Sequence, residues 1–525
     1  MTEQTTISDQ VTSSGTYLDH LLGSLASGGD REALVYGDQR ITYAQAHEKS
    51  LRLAGALRGA GLRKGDGVAA FVGNRPESVL LQIATHLIGG RLVFVPPEPG
   101  QSELSAFIDL AGTKAFVFDP GFGGRAEELA DQVSAAHKLS LGPSTVGTDL
   151  LALMEQAPAV LPDVEISKDD IVTLLYTGGT TGRSKLVTHR HLYYDVLIMA
   201  AGRRRGDSPG PQRFLICTLV THSSGHVAAI TGLLAGATVV LGGDFDAAQI
   251  LGTMEREHIT GLGLTPPMLY EILDHPACRE GGFPALARIF YGGAPTAPAR
   301  LREAIERFGP MMRQSYGLTE APVITTLEPD QHDLERPETL RTCGRPLPGM
   351  AVEIRDEQGN AVPAGQIGEV HTQGFMVMTE FWGDPERTRE ELKGGWLRTG
   401  DLGYLDADGY LYLVDRSKDV IVTGRTSDNV YSRLLDDFLA AVAGVRQAAA
   451  IGVPDDRYGE AVHVFVIPEP GALLDPAELI KQVVEELGPL YEPRGITFVD
   501  TLPWTSMGKI DKKTLRAEFI TAQSA

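Results

Sequence analysis

The segment from Thr177 to Lys185 reads Thr-Gly-Gly-Thr-Thr-Gly-Arg-Ser-Lys and combines three kinds of group that bind phosphate. Its glycines let backbone N–H groups turn inward, its threonines add hydroxyl donors, and Lys185 adds a positive charge. An apolar run, 171–175, precedes it and is typical of a short buried strand. In the common P-loop a lysine directly follows the last glycine, whereas two residues separate Gly182 from Lys185. We therefore expect a polyphosphate-binding loop unlike that of P-loop NTPases, with a flexible turn as the alternative.

Three later motifs carry groups that suit a nucleotide. The motif 291–295, Tyr-Gly-Gly-Ala-Pro, follows a predicted strand, and its glycine pair lets a flat ligand lie against the backbone. The motif 316–320, Tyr-Gly-Leu-Thr-Glu, offers an aromatic ring for stacking and a carboxylate for a Mg²⁺ ion that bridges phosphates. The aspartate of 399–401, Thr-Gly-Asp, could accept hydrogen bonds from two ribose hydroxyls. Taken singly, these residues have ordinary explanations as a tight turn, a buried tyrosine, a solvated glutamate and a turn aspartate.

Alternating strands and helices position these motifs. Apolar runs near 67–72, 92–95 and 114–118 are separated by helical periodicities, and the alternation recurs from 213 to 291. Such an order predicts parallel sheets covered by helices. Between 342 and 413, short strands and Gly/Pro turns predict antiparallel hairpins.

The pattern changes again beyond Lys418, where a compact α+β unit begins. Its clearest helix is capped by Asp475, has Pro476 in its first turn and ends at Gly488. Close to the C-terminus, Lys509 follows Gly508 in a stretch rich in lysine, and a lysine in such a run is ordinarily a surface residue. The sequence predicts a boundary near Lys418, with domains 1–417 and 418–525.

The overall composition is that of a folded globular chain. Its 525 residues are 42% hydrophobic and 22% charged, and the length predicts more than one domain. The formal net charge of −21 argues against nucleic acid and anionic membranes as partners. The longest apolar stretch, 227–241, is interrupted by glycines and is too short for a bilayer span. Three widely spaced cysteines and a polar N-terminus without a signal sequence predict a reduced, cytoplasmic protein.

The set of motifs resembles the adenylate-forming superfamily, which includes acyl- and aryl-CoA synthetases, firefly luciferase and peptide-synthetase adenylation domains. Five motifs occur in order, and the resemblance extends from about Ile41 to Phe519. It implies an α/β fold with a large N-terminal domain of helix-covered, mostly parallel sheets, a small β-barrel-like subdomain and a mobile α+β C-terminal domain. It also implies an AMP-forming ligase that uses ATP and Mg²⁺ to convert a small carboxylic acid to an acyl adenylate, with release of pyrophosphate.

The resemblance assigns roles to individual residues. Expected ATP contacts are Thr177, Thr180, Thr181 and Lys185 to the phosphates, Gly292, Gly293, Ala294 and Tyr316 to adenine, and Asp401 with Arg416 to ribose. Expected catalytic residues are Lys509, Thr319 and His222, with Glu320 as the Mg²⁺ ligand and Lys418 as the hinge. The expected walls of the acid pocket are His222, Ser223, Tyr291, Gly317 and Val323, a mixture that favours an aryl or heteroaryl acid.

The acceptor of the acyl group is suggested by a departure from the family pattern. Members that use CoA often carry Ser-Gly-Gly-Glu-Asn-Val-Tyr-Pro after the hinge, where the glycines leave room for pantetheine. Here the Asn429-Val430-Tyr431 sequence follows Thr426 and Ser427 instead of glycines. The sequence therefore favours transfer to an amine, as in amide bond synthetases of this superfamily. Transfer to CoA and a non-catalytic nucleotide-binding role are the alternatives.

Overall fold

The computed structural model describes residues 15–97, 101–177, 185–206, 210–423, 428–455, 459–505 and 509–524. Thr180 and Thr181, predicted to contact phosphate, lie outside these ranges, as do Gly508 and the two residues, Thr426 and Ser427, on which the choice of acceptor was based.

The strands of the described residues are numbered in chain order. Those of the large N-terminal sheets are β1 (Glu32–Tyr36), β2 (Gln39–Thr42), β3 (Gly67–Phe71), β4 (Arg91–Phe94), β5 (Thr113–Phe118), β6 (His137–Ser140), β7 (Thr148–Asp149), β8 (Ile171–Thr177), β9 (Lys185–Arg190), β10 (Arg213–Ile216), β11 (Thr238–Leu241), β12 (Gly261–Leu264), β13 (Arg288–Gly292), β14 (Met312–Leu318), β15 (Ala321–Leu327) and β16 (Arg345–Pro346). The later strands are β17 (Met350–Arg355), β18 (Gly368–Gly374), β19 (Leu392–Lys393), β20 (Trp396–Leu405), β21 (Leu411–Arg416), β22 (Ile421–Thr423), β23 (Asp428–Val430), β24 (Val445–Asp455), β25 (Gly459–Pro468) and β26 (Gly495–Phe498).

Helices separate most of the parallel strands. They are α1 (Tyr17–Gly28), α2 (Tyr43–Gly59), α3 (Pro76–Leu87), α4 (Gln101–Leu110), α5 (Gly124–Gln132), α6 (Leu150–Gln156), α7 (His191–Gly206), α8 (Ser223–Ala235), α9 (Ala247–Arg256), α10 (Pro266–Asp274), α11 (Pro276–Glu280), α12 (Pro298–Phe308), α13 (Pro385–Glu391), α14 (Ser432–Leu439), α15 (Pro476–Leu487) and α16 (Lys512–Ser524). No described helix combines the length and the apolar character that a membrane span requires.

Two mostly parallel sheets form the large N-terminal part, as predicted. One has the order β7-β6-β5-β3-β4-β8-β9, and the other has the order β16-β15-β14-β13-β12-β10-β11-β1-β2. Strands β10 to β14 of the second sheet run parallel to one another, so their carboxyl ends share one edge. Loops that follow such ends commonly carry binding groups.

Local sequence explains where the best-defined helices begin. Thr42 accepts a hydrogen bond from the Gln45 backbone N–H, and the Gln45 side chain accepts one from the Thr42 N–H, so α2 begins with a capping box. Asp475 accepts from the Ala477 N–H at the start of α15, and Pro476 occupies the first turn, as the sequence predicted.

The remaining strands form smaller sheets after β16. The region predicted as hairpins is a five-stranded antiparallel sheet built on β17, β18, β20 and β21, with β19 at the edge of β20. After β21 come a short hairpin of β22 and β23 and the sheet β24-β25-β26 with its helices. The three cysteines, Cys217, Cys278 and Cys343, are free and buried, as expected.

Candidate active site

One cleft of about 2200 Å³ collects most of the predicted site residues. Its floor is the shared carboxyl edge of β10, β12, β13 and β14, and its other walls come from α8, from the antiparallel sheet and from the C-terminal part of the chain. The predicted residues that line it are Thr177, Lys185, His222, Ser223, Tyr291, Gly292, Gly293, Gly317, Thr319, Glu320, Val323, Arg416, Lys418 and Lys509. Tyr316 and Asp401 lie just behind its wall, and Ala294 does not line it.

Two glycines let the strands approach each other closely at the cleft edge. A Cβ atom at Gly292 would lie 2.3 Å from the carbonyl oxygen of Ser315, and one at Gly317 would lie 2.3 Å from that of Pro322. Contacts this short with backbone atoms exclude any larger residue unless the strands move apart. These glycines shape the floor of the cleft.

Asp401 forms the centre of a buried hydrogen-bonded group. The Tyr316 hydroxyl donates to its Oδ2 at 2.6 Å, and Arg416 Nε lies 2.7 Å from its Oδ1. The pairing of β20 with β21 places Asp401 directly opposite Arg416. A carboxylate offers about four lone-pair sites, so two remain for hydroxyl groups of a ligand. Burial raises the pKa of the Tyr316 hydroxyl well above its usual value, which keeps it a hydrogen-bond donor.

Lys185 has partners that the sequence did not predict. Its Nζ lies 3.2 Å from Oε1 of Glu391 and 4.9 Å from the centre of the Phe381 ring. The same Glu391 oxygen accepts from Arg387 Nε at 2.8 Å. Glu391 therefore holds two cations at the cleft wall. Its distance of 206 residues from Lys185 left no local signal for this contact.

Glu320 fits the role of a carboxylate ligand for Mg²⁺. Only 8% of its surface is exposed, and its carbonyl accepts from the Met378 N–H at 2.7 Å. Burial raises the pKa of its carboxyl group, while the charges of Lys185 and Arg416 act in the opposite direction. No group of three metal-ligating side chains occurs in the described parts of the chain. A single carboxylate suffices because Mg²⁺ takes its other ligands from phosphates and water.

Thr319 is held by a histidine from the neighbouring sheet. His189 Nε2 donates to the Thr319 carbonyl at 3.0 Å, and the His189 ring stacks on Tyr193 with centroids 4.4 Å apart. Burial lowers the pKa of His189 to about 4. The imidazole is therefore neutral at pH 7 and acts as a hydrogen-bond donor that fixes the turn before Glu320.

Lys509 reaches the cleft from a hairpin near the C-terminus. The Thr505 N–H donates to the Lys509 carbonyl at 2.7 Å, and the Lys509 N–H donates to Thr505 Oγ1 at 3.1 Å. Burial, and then the neighbouring charge of Arg416, lower the pKa of the Lys509 ammonium to about 8, against the attraction of Asp401 and Glu320. Lys509 and Glu320 are thus brought into one electrostatic environment from positions far apart in sequence.

A largely apolar chamber opens from the same cleft. His222 is the N-cap of α8 at its edge, and Ile216, Gly263 and Phe290 lie side by side on β10, β12 and β13. A Cβ atom at Gly263 would meet nothing within 4 Å, so the glycine leaves a trough between its larger neighbours. The Phe214 and Phe290 rings meet edge to face with centroids 5.7 Å apart.

Tyr291 differs in detail from its predicted role as a pocket wall. Only 2% of its surface is exposed. Its hydroxyl contacts Gln314 Oε1 at 3.2 Å and His332 Nε2 at 2.9 Å. The ring borders the cleft, while the hydroxyl serves the packing of β13 against β14.

Comparisons with known proteins match nearly the whole chain. The family model described as AMP-binding enzyme matches residues 24–382, and the model described as AMP-binding enzyme C-terminal domain matches residues 435–509. The chain belongs to the adenylate-forming superfamily. As a member of this family it is an AMP-forming ligase that uses ATP to activate a carboxylic acid through an acyl adenylate.

Relatives within the superfamily differ in their acceptors. The chain is 35% identical to a medium/long-chain fatty acid–CoA ligase of Mycobacterium tuberculosis, over 98% of this chain and 92% of the relative. It is 33% identical to a feruloyl-CoA synthase of an Amycolatopsis species, over 93% of this chain and 96% of the relative. Among solved structures it resembles amide bond synthetase McbA from Marinactinospora thermotolerans, with 38% identity, a TM-score of 0.88 and coverage of 96% and 100%.

Proposed function

We propose that this adenylate-forming ligase activates an aryl or heteroaryl acid and transfers the acyl group to an amine. The observation that carries the proposal is the meeting of Lys509, Glu320 and Arg416 beside a largely apolar chamber in one cleft. Lys509 and Arg416 place positive charge where the substrate carboxylate has to approach the α-phosphate of ATP. The chamber accommodates the apolar body of the acid. The walls include Phe290 and the trough at Gly263, which suit a flat ring.

In the first half-reaction a carboxylate oxygen of the acid attacks the α-phosphorus of ATP, and the bond to pyrophosphate breaks. Lys509 neutralises charge on both the carboxylate and the α-phosphate. Lys185 exchanges Glu391 for the outer phosphates, while Asp401 and Arg416 hold the ribose. Glu320 would hold a Mg²⁺ ion, which when bound would supply further positive charge to the phosphates.

In the second half-reaction the amine nitrogen attacks the acyl carbon, and the bond from that carbon to AMP breaks. His222, at the edge of the chamber, accepts the proton that the amine loses. We further propose that residues 418–525 form a separate domain that turns about Lys418 between the two half-reactions.

One group of charged side chains on the cleft lining supports an amine acceptor. Three carboxylates, Glu271, Asp274 and Glu303, line the cleft together with Arg300 and Arg446, and Arg446 lies 3.8 Å from Asp274. Arg300 is already paired with Asp274 and Glu303, at 2.7 Å in each case. An excess of carboxylates attracts a protonated amine and repels the phosphates of CoA.

Transfer to CoA is the second candidate, because the curated relatives include several CoA ligases. The hairpin of β22 and β23 connects through the segment that contains Thr426 and Ser427, where CoA-using members often have glycines. Its described residues contact Glu460 and do not line the cleft in this arrangement.

Product analysis tests both steps separately. Purified enzyme is supplied with ATP, Mg²⁺ and a panel of aryl, heteroaryl and aliphatic acids, each with a panel of amines or with CoA. We expect acid-dependent pyrophosphate release that is strongest with ring-containing acids, and an amide as the product detected by mass spectrometry. Rapid formation of a thioester without any amide would show that CoA, and not an amine, is the acceptor. Absence of acid-dependent AMP formation across the panel would overturn the whole proposal.

A further inference from the structure

Lys512 follows Lys509 by three positions in the sequence, yet its ammonium group points into the protein. Its Nζ donates to Asp436 Oδ2 at 2.6 Å and to Ser432 Oγ at 2.7 Å, and only 17% of its side chain is exposed. Asp436 Oδ1 also accepts from the Ala450 N–H at 2.6 Å. A buried ion pair contributes little net stability, because desolvation offsets its attraction. Its presence calls for another explanation.

The contacts of Lys512 continue toward the nucleotide site. Ser432 Oγ, which accepts from Lys512, donates to Asp415 Oδ2 at 2.9 Å, and the Ser432 N–H donates to the same oxygen at 2.5 Å. Asp415 directly precedes Arg416, the residue paired with Asp401. One hydrogen-bonded path therefore connects Lys512 with the end of β21.

The base of the Lys509 hairpin lies at the other end of this path. Trp504 and Ile510 form an isolated β-bridge, and the Asp511 N–H donates to the Pro503 carbonyl at 2.8 Å. Asp511 then accepts from the Thr514 N–H at 3.0 Å at the start of α16. The arm that carries Lys509 is thus continuous with the first helical turn, where Lys512 makes its bonds.

We propose that Lys512 is a positioning residue for adenylation, which fastens the base of the Lys509 hairpin to Ser432 and Asp436 and, through Ser432, to Asp415. Lys509 is hydrogen-bonded to Thr505 in this hairpin, so its place near Arg416 and Glu320 depends on how that base is held. The inference rests on the proposed role of Lys509 in the first half-reaction. Transfer from a finished acyl adenylate does not use the Lys509 charge in the same way.

Separate assays of the two half-reactions test this assignment. Lys512→Met is expected to lower acid-dependent ATP–pyrophosphate exchange on the order of 10- to 100-fold, since a shift of about 1 Å costs this much. The rate of amide formation from a supplied synthetic acyl adenylate should stay within about twofold of wild type. Lys512→Arg, which keeps the donor, should recover most of the exchange. Lys513→Met, a change on the exposed side of the same helical turn, serves as the matched control.

A second variant distinguishes a loss of positioning from a loss of folding. In the double variant Lys512→Met with Asp436→Asn, both charges of the pair are removed and the amide oxygen still accepts from the Ala450 N–H, so the fold should tolerate the change. Exchange should remain low in this variant although its thermal unfolding matches wild type. Equal losses in both half-reactions, or full exchange in the double variant, would overturn the positioning role. If wild type itself shows no acid-dependent exchange, the proposed function fails instead, and the two failures are distinct.

Discussion

The charge of a single ammonium group governs the chemistry proposed for the cleft. Lys509 is the cation expected between the acid and the α-phosphate. Lys185 and Arg416 do not replace it, because Lys185 is expected at the outer phosphates and Arg416 is held by Asp401. Lys509→Ala should lower acid-dependent pyrophosphate exchange by at least about 10²-fold. Lys513→Ala is the control, because that side chain is exposed on the nearby helix. Unchanged exchange in Lys509→Ala would refute the assignment.

The pKa of the Lys509 ammonium group predicts how the rate of adenylation depends on pH. With a pKa of about 8, Lys509 is protonated and active below that pH, and it loses its charge as the pH rises through it. Because kcat/KM reports groups of the free enzyme, kcat/KM for adenylation should fall above about pH 8. An exposed lysine would delay the fall to about pH 10. Initial rates of pyrophosphate release, measured at low ATP from pH 6.5 to 10, distinguish these cases.

The Tyr316 hydroxyl is predicted to act through Asp401. Tyr316→Phe removes one hydrogen bond to a buried carboxylate, which is worth about 1.5–3 kcal/mol. We expect the KM for ATP to rise by about tenfold with a smaller change in kcat, because the ribose site loses its orientation. Tyr412→Phe, in a tyrosine pair outside the cleft, is the comparison. A loss confined to kcat would argue against ribose binding at Asp401.

Residue types could be predicted from sequence where they form motifs, but their partners could not. Lys509 and Glu320 stand in recognisable runs, and the structure brings both to the cleft. Glu391 stands outside every motif, and Ser432, directly after Asn429-Val430-Tyr431, had no predicted role. Both matter because folding places them against Lys185 and Lys512. Such pairs depend on tertiary packing. Their members lie far apart in the sequence, so no local pattern of residues predicts the contact.

At the scale of elements, the trough on β12 is predicted to set the size of the acid. Gly263 lies between Ile216 and Phe290 in the sheet and faces open space. Gly263→Val adds a branched side chain to the chamber without displacing backbone. We expect a large rise in KM for bicyclic or substituted aryl acids and little change for small ones. Steady-state kinetics over an acid size series measure this, and a uniform loss for all acids would contradict it.

The order of helices and strands was predictable because the helical and the strand-like patterns of apolar residues are both strong. The strands from Gly67 and from Thr113 fall within a residue or two of the predicted runs 67–72 and 114–118. The sequence did not predict that β9 pairs antiparallel with β8. Nor did it predict the trough, because an isolated glycine in a strand does not reveal which face it opens.

At the scale of the whole molecule, a cluster of buried imidazoles predicts sensitivity to acid. Burial lowers the pKa of His191 and His189 to about 4 and that of His226 to about 3. Within the described residues neither ring nitrogen of His191 has a hydrogen-bond partner, and the ring packs against Tyr17 of α1 with centroids 5.7 Å apart. Protonation of such a group therefore competes directly with packing of α1.

The direction in which pH changes the free energy of unfolding follows from proton binding by the folded and unfolded chains. These histidines have folded-state pKa values below the unfolded value of about 6.5, so the unfolded chain binds more protons. Their contribution to the free energy of unfolding is complete above about pH 6.5 and falls as the pH decreases toward 4. Each buried histidine loses roughly 2–3 kcal/mol over two pH units. Buried carboxylates such as Asp436, whose pKa is raised to about 6, titrate in the opposite sense.

Comparison of variants isolates the histidine contribution, because the carboxylates are common to all of them. We expect urea unfolding of wild type to show a steeper loss of free energy between pH 6.5 and about 4.5 than that of His191→Phe, which keeps a ring but cannot be protonated. His20→Gln, at an exposed position, should leave the slope of wild type unchanged. Equal slopes for wild type and His191→Phe would show that acid destabilises the protein at other groups. A histidine that is buried and neutral in the folded chain takes up a proton when the chain unfolds in this pH range, so its removal must change the slope.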